Sequence, residues 1–270
     1  MFWTRLLSSI ILLASIIVLG VAGGLPLLLG VAVISIVGLF ELYRVLDMHR
    51  SGLAVLCYIL AAIYEAMIYT SGLTLIGAYV FLSMLALLVL YVFTYPKYRA
   101  VQIMGAYFGL IYVVFMLSFV FLVRVMPGGQ HLIWLIFISA WGSDTLAYCT
   151  GMLFGRHKMA PVLSPKKSVE GAIGGILGAA LLGVIYALIF GNELAVFAQP
   201  VLSVGILCGA GGAISMIGDL AASAIKRNYE IKDYGDLIPG HGGVLDRFDS
   251  IIITAPLVFF LVMFLQIVVR

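Results

Sequence analysis

The sequence predicts an all-α polytopic integral membrane protein, and three observations carry that expectation. The 270 residues are 64% hydrophobic and only 10% charged, with a mean hydropathy of +1.20. So few polar groups cannot cover the surface of a soluble domain of this length. The apolar runs reach or exceed the ~18–20 residues that a helix needs to cross the hydrocarbon. Alternating segments of ~10 residues, the mark of barrel strands, are not found.

Window length gives about nine spans, over 6–23, 25–43, 53–70, 73–94, 101–123, 131–154, 170–190, 200–225 and 248–268. The first reads as a transmembrane helix rather than a cleaved leader, because a second hydrophobic run follows closely. Short uncharged turns, "AGGLP" (22–26) and "TSGLT" (70–74), separate span 1 from 2 and span 3 from 4. Spans 7 and 8 are rich in small residues ("GAIGGILGAALLG", "GAGGAIS"), which predicts close helix packing rather than a nucleotide loop. Cys57, Cys149 and Cys208 fall inside apolar runs without paired spacing and read as buried thiols. The chain divides into residues 1–130, with helices 1–5, and residues 131–270, with helices 6–9 and the polar loops 155–169 and 226–247.

Nine spans place thirteen of the fifteen Lys and Arg residues on one side and leave only Arg124 and Arg270 on the other. The positive-inside rule then predicts a cytoplasmic N-terminus and an outside C-terminus. Both long polar loops face the cytoplasm, so a soluble substrate is expected from there.

Four carboxylates lie in or beside the spans. Glu65, near the outer end of helix 3, is expected to reach the interface. Glu41 can pair with Arg44 at i,i+3. Asp219 and Asp144 lie deeper, at roughly 10 and 16 Å from the loops at 1.5 Å per residue. Acids at that depth are costly unless paired, wet or on a metal, and are functional by default; the bland alternative is a buried salt bridge or a protonated side chain. Asp219, Ser223 and Lys226 share one helical face, and Asp144, Tyr148 and Gly151 form a similar stripe. The two helices can line one polar cavity open to the cytoplasm.

The loops supply the cations. "LSPKKSVEG" (163–171) puts Ser164, Lys166, Lys167 and Ser168 just before helix 7, with Ser168 as the N-cap and Glu170 in the first turn. The helix N-terminus and two lysines suit an anion, although interfacial anchoring explains the lysines equally well. The second loop interleaves Lys226, Arg227, Lys232 and Arg247 with Glu230, Asp233, Asp236, Asp246 and, just past it, Asp249. Mixed signs suit phosphates held by cations and by carboxylate-bound metal. The Gly-rich turn "PGHGG" (239–243) can approach a phosphate closely. Hard oxygen ligands favour Mg²⁺ over Zn²⁺, and His241 reads as a phosphate donor or a turn-fixing residue.

Residues 223–249, "SAIKRNYEIKDYGDLIPGHGGVLDRFD", resemble the signature of phosphatidate cytidylyltransferases, also called CDP-diacylglycerol synthases. Ser223, Lys226, Arg227, Lys232, Asp233, Gly235, Pro239, His241, Gly242, Gly243, Asp246, Arg247 and Asp249 meet every fixed position. The segments "DTLAYCTGMLFGRHK" and "LSPKKSVEG" are similar too, with Ser168 where that family often has Thr. The resemblance is strongest over 140–270; the first five helices match only in length and hydrophobicity.

The resemblance implies a nucleotidyltransferase that joins CTP and phosphatidic acid to give CDP-diacylglycerol and pyrophosphate. It implies Mg²⁺, leaves open a second, monovalent cation, and implies a helical, dimeric protein of a bacterial-type plasma membrane that acts on membrane lipid, not nucleic acid. Asp219 and Asp246 are the first expected metal ligands, followed by Asp249 and Asp144; Asp219 lies outside the signature and rests on depth and spacing. Lys167, Lys226, Arg227 and Arg247 are expected on phosphates, followed by Ser164, Lys166, Ser168 and Lys232, with His241, Gly242 and Gly243 donating to the triphosphate. Asp219, Asp246, Lys226 and Arg247 form the expected catalytic group. Three rivals stand beside this. An ion-coupled transporter lacks support from an inverted repeat. A CTP-dependent lipid kinase would share the nucleotide. A CDP-alcohol phosphotransferase needs a motif that "GDLAAS" lacks.

Overall fold

The computed structural model describes the backbone of residues 2–268 and the side chains of residues 6–266. Its elements are α1 (Phe2–Ala22), α2 (Gly24–Val45), α3 (Gly52–Ser71), α4 (Ile76–Phe93), α5 (Ala100–Val125), α6 (Gly129–Phe154), β1 (Lys158–Ala160), β2 (Ser164–Ser168), α7 (Val169–Phe190), α8 (Pro200–Asn228) and α9 (Leu245–Val268). Among the described residues, the eight helices α2–α9 are long and apolar enough to cross a membrane, and α1 adds a shorter apolar stretch, Leu6–Ala22. The all-α expectation holds. The antiparallel β1–β2 hairpin is an addition, formed inside the polar segment 155–169.

Local chemistry accounts for the helix ends. Ser51 caps α3 by accepting from Ala54 N at 3.2 Å, and Ser168 caps α7 by accepting from Gly171 N at 3.1 Å. Pro200 opens α8, where its missing N–H costs nothing, and Lys226 and Arg227 close it, where cations suit the dipole. Two helices carry π-helical segments, Leu110–Phe115 in α5 and Ile138–Gly142 in α6. Such insertions turn the following residues about the helix axis. The second one immediately precedes Ser143 and Asp144.

The chain forms two compact units, residues 1–121 with 233–247 and residues 122–232 with 248–270. In the first, Leu39, Tyr43, Leu53, Tyr64 and Phe119 are fully buried. Tyr43 Oη donates to Ala106 O at 2.5 Å, tying α2 to α5. Glu65 differs from expectation: it is 4% exposed, packed inside this unit rather than reaching outward.

In the second unit, α7 packs tightly between α6 and α8. The small residues predicted for close packing do that work. A Cβ at Gly175 would meet Ala147 Cβ, Met216 Cε and Ser143 O at 2.8 Å, and one at Gly183 would meet Cys208 Sγ at 2.7 Å. The outer faces stay apolar and exposed, with Ile173, Leu177, Leu181 and Leu188 on α7. Cys57 and Cys208 are buried as expected; Cys149 is exposed, contrary to expectation, since the α6 residues that meet α7 are Leu146, Ala147, Thr150 and Gly151.

Candidate active site

Five charged residues of the second unit, Asp144, Lys167, Asp219, Lys226 and Asp249, gather around α8. Asp219 projects from its last third, and Lys167 comes from β2. Lys167 Nζ lies 2.5 Å from Asp219 Oδ2, an ion pair whose angles fall outside hydrogen-bond geometry. Ser223, one turn further along α8, donates to Asp219 Oδ1 at 3.4 Å. The face predicted from i,i+4 spacing is therefore real. Asp249 on α9 is 8% exposed and within electrostatic reach of Asp219, Lys226 and Asp144. Three carboxylates and two lysines, from β2, α6, α8 and α9, thus share one neighbourhood.

The hairpin sets Lys167 in place. Ser164 pairs with Ala160 and Ser168 with Lys158 across it. Glu170 closes the hairpin from below, accepting from Arg156 N at 3.0 Å and contacting His157 Nδ1 at 2.6 Å. The capping Ser168 is buried, and Gly151 of the α6 stripe packs beside its Oγ. Tyr148 of the same stripe is exposed, as is Lys166.

In the first unit the segment 233–247 folds into a closed turn. Ile238 N donates to Gly242 O at 2.9 Å, and His241 N donates to Ile238 O at 2.9 Å. Gly240 and Gly242 take φ of 78° and 91°, a region that L side chains rarely adopt. Asp246 Oδ2 accepts from Tyr234 N at 2.7 Å and Gly243 N at 3.0 Å. His241 Nε2 lies 3.1 Å from Ser9 Oγ of α1, which favours the turn-fixing alternative in this structure. Arg247 is half-buried; Arg227 and Lys232 are exposed, and Arg227 donates to Ile231 O at 3.2 Å.

One group escaped the sequence reading. Glu41 does not pair with Arg44. Its carboxylate accepts from Val244 N at 2.9 Å and Leu245 N at 2.8 Å, capping α9. Arg44 instead donates to Tyr234 O at 2.8 Å and pairs with exposed Asp236 at 3.9 Å. The signal was present in a lone acid beside a helix that starts without a Ser or Thr cap, but nothing in one sequence says which helix it serves.

The donor chemistry fits a hard cation. Asp144, Asp219 and Asp249 offer only carboxylate oxygens. Among the described residues no three His, Cys, Asp or Glu side chains converge into a protein-only cage. Mg²⁺ needs none, since one or two carboxylates, water and substrate phosphates ordinarily complete its shell.

The profile of the Cytidylyltransferase family matches residues 3–265, almost the whole chain. The chain belongs to the cytidylyltransferase family. Within that family it is similar to the phosphatidate cytidylyltransferase of Thermotoga maritima, 39% identical over 162 residues and 60% of each chain. It is 44% identical to that of Haemophilus influenzae over 128 residues, 47% of this chain and 44% of the other. The Bacillus subtilis protein of the same name is 29% identical over 95% of this chain and 96% of its own. The cytidylyltransferase match therefore spans 60% or less of the first two relatives and nearly all of the third.

Proposed function

We propose that this family member is a phosphatidate cytidylyltransferase that transfers CMP from CTP to phosphatidic acid at the cytoplasmic membrane face. The observation that carries the reading is the Lys167–Asp219 pair beside Asp249, Asp144 and Lys226, a mixed-charge cluster drawn from the hairpin strand β2 and the helices α6, α8 and α9. The names of the relatives support the substrates, and the one-sided distribution of Lys and Arg supports the cytoplasmic face.

A phosphate oxygen of phosphatidic acid attacks the α-phosphorus of CTP in line, the new P–O–P bond forms, and pyrophosphate leaves. The lipid phosphate is already nucleophilic at neutral pH, so no covalent enzyme intermediate is required. The barrier is repulsion between two anions and charge growing on the leaving group. Lys167, Lys226, Arg227 and Arg247 neutralise phosphate charge, and Ser164, Lys166 and Lys232 extend the anion surface, while the buried Ser168 serves it by capping α7. The turn at His241, Gly242 and Gly243 meets the triphosphate through the Gly242 N–H, since the N–H groups of His241 and Gly243 already serve Ile238 O and Asp246 Oδ2. One or two of the expected ligands Asp219, Asp246, Asp249 and Asp144 would hold Mg²⁺, with water and substrate phosphates completing its shell. Bound there, Mg²⁺ supplies charge neutralisation on the phosphates; a monovalent cation is a candidate companion. A homodimer is proposed on the resemblance alone.

The test is the purified protein with CTP labelled in the cytidine and phosphatidic acid in detergent or vesicles. The expected product is lipid carrying the cytidine label, with one pyrophosphate released per turnover. Transfer of the terminal phosphate alone would make it a kinase. Solute uptake into sealed vesicles without CTP consumption would make it a carrier.

A further inference from the structure

The structure assigns Glu41 a part in the proposed reaction: we propose that it is a positioning residue that holds the segment 233–247 in its working shape. The inference rests on the reading above, in which that segment meets the nucleotide.

Glu41 lies near the end of α2 and is 3% exposed. Its two oxygens each accept a backbone N–H, from Val244 and Leu245. Asp246 Oδ2 takes the N–H of Gly243, the residue just before. Three successive donors at the start of α9 are therefore divided between two carboxylates. The loop also closes over Glu41: a Cβ on Gly243 would meet both its oxygens at 2.6 Å, and one on Gly235 would clash with Oε1. Two signature glycines thus have a packing reason, which is to let backbone rest on a buried carboxylate.

The neighbouring contacts point the same way. Arg44, one turn on, donates to Tyr234 O. Ser8 of α1 donates to Pro239 O at 3.1 Å, and Ser9 meets His241. The ends of two helices that carry none of the expected catalytic residues therefore grip the segment at five places: residues 234, 239, 241, 244 and 245. Of these grips the Glu41 one is buried and charged. A carboxylate accepting N–H bonds is a strong acceptor, and losing it leaves two buried donors to find others.

The decisive variant is Glu41→Gln, which keeps size and shape but turns one acceptor oxygen into a donor facing an N–H. Two readouts are taken on the full-length protein. Backbone hydrogen exchange over 234–245 should accelerate by about tenfold or more, independently of any substrate. The kcat should fall by about tenfold to a hundredfold, as displacements near 1 Å do in active sites. Leu87→Ala, a core truncation on α4 of the same unit, serves as the comparator for lost stability. It should lower the melting temperature without accelerating exchange in that segment and without a comparable fall in kcat. Glu41→Asp, one methylene short, should show the same pattern at smaller amplitude and stands in should Glu41→Gln fail to insert. Unchanged exchange over 234–245 would overturn the proposal, as would a loss of kcat that Leu87→Ala matches at equal loss of melting temperature. If the wild type makes no CDP-lipid, the function fails while the exchange result still judges the role of Glu41.

Discussion

Lys167 and Asp219 meet at 2.5 Å, one from a short hairpin strand and the other from a membrane helix. Their side chains are 24% and 28% exposed, with Lys167 Nζ itself buried, so the pair is only partly solvated. A cation and an anion are held together where the proposed reaction handles phosphates. Each can hold the other in readiness for a ligand of opposite sign.

Removing one partner should cost function more than stability. Asp219→Asn is expected to lower turnover by a factor of about 100 or more while the protein inserts and purifies normally. The assay is incorporation of labelled CTP into lipid; near-normal activity would remove Asp219 from the site.

A double-mutant cycle tests the pair itself. Lys167→Met and Asp219→Asn should each lower the melting temperature, and the double variant should lose less than their sum. At this exposure the coupling should be about 1 kcal/mol, not the several expected of a dry pair. Strict additivity in detergent melts would mean that the contact contributes nothing to the fold.

Asp246 should behave differently, because it also organises its own turn. Asp246→Asn keeps one acceptor but sets an amide N–H₂ against a backbone donor. The expected outcome is loss of turnover together with faster exchange at Tyr234 and Gly243. Activity lost with exchange unchanged would confine Asp246 to ligand binding.

Chelation addresses the carboxylates as a group. Turnover should vanish in excess EDTA and return with Mg²⁺. A rate that survives the chelator would leave Asp144, Asp219 and Asp249 without their proposed task.

Packing gives a prediction independent of catalysis. Gly175→Val puts a Cβ at 2.8 Å from Ser143 O, Ala147 Cβ and Met216 Cε; the methionine end can move aside, but the backbone oxygen and the Ala147 Cβ cannot. Overpacking of this kind costs about 1–3 kcal/mol. Thermal melting of the purified protein should show it, whereas Gly77→Ala, where a Cβ meets nothing within 4 Å, should melt close to wild type.

Much of this was legible without coordinates. Membrane class followed from composition, since 10% charged residues cannot clothe a soluble chain. Helix limits followed from run length, and the Ser168 cap from its place before an apolar run. The Asp219–Ser223 contact followed from i,i+4 spacing. Local rules suffice where neighbours in sequence are neighbours in space. They did not reveal the π segment before Asp144, the hairpin that carries Lys167, or the burial of Glu65.

The sequence by itself determined which residues are candidates for the chemistry: a signature from Ser223 to Asp249, deep acids and basic loops. Only the tertiary structure decided which of them meet. It joined Lys167 to Asp219 across 52 residues and brought Glu41 to Leu245 across 204. The physical reason is that a buried carboxylate must find a donor or a cation, and a single sequence states that need without naming the distant group that satisfies it.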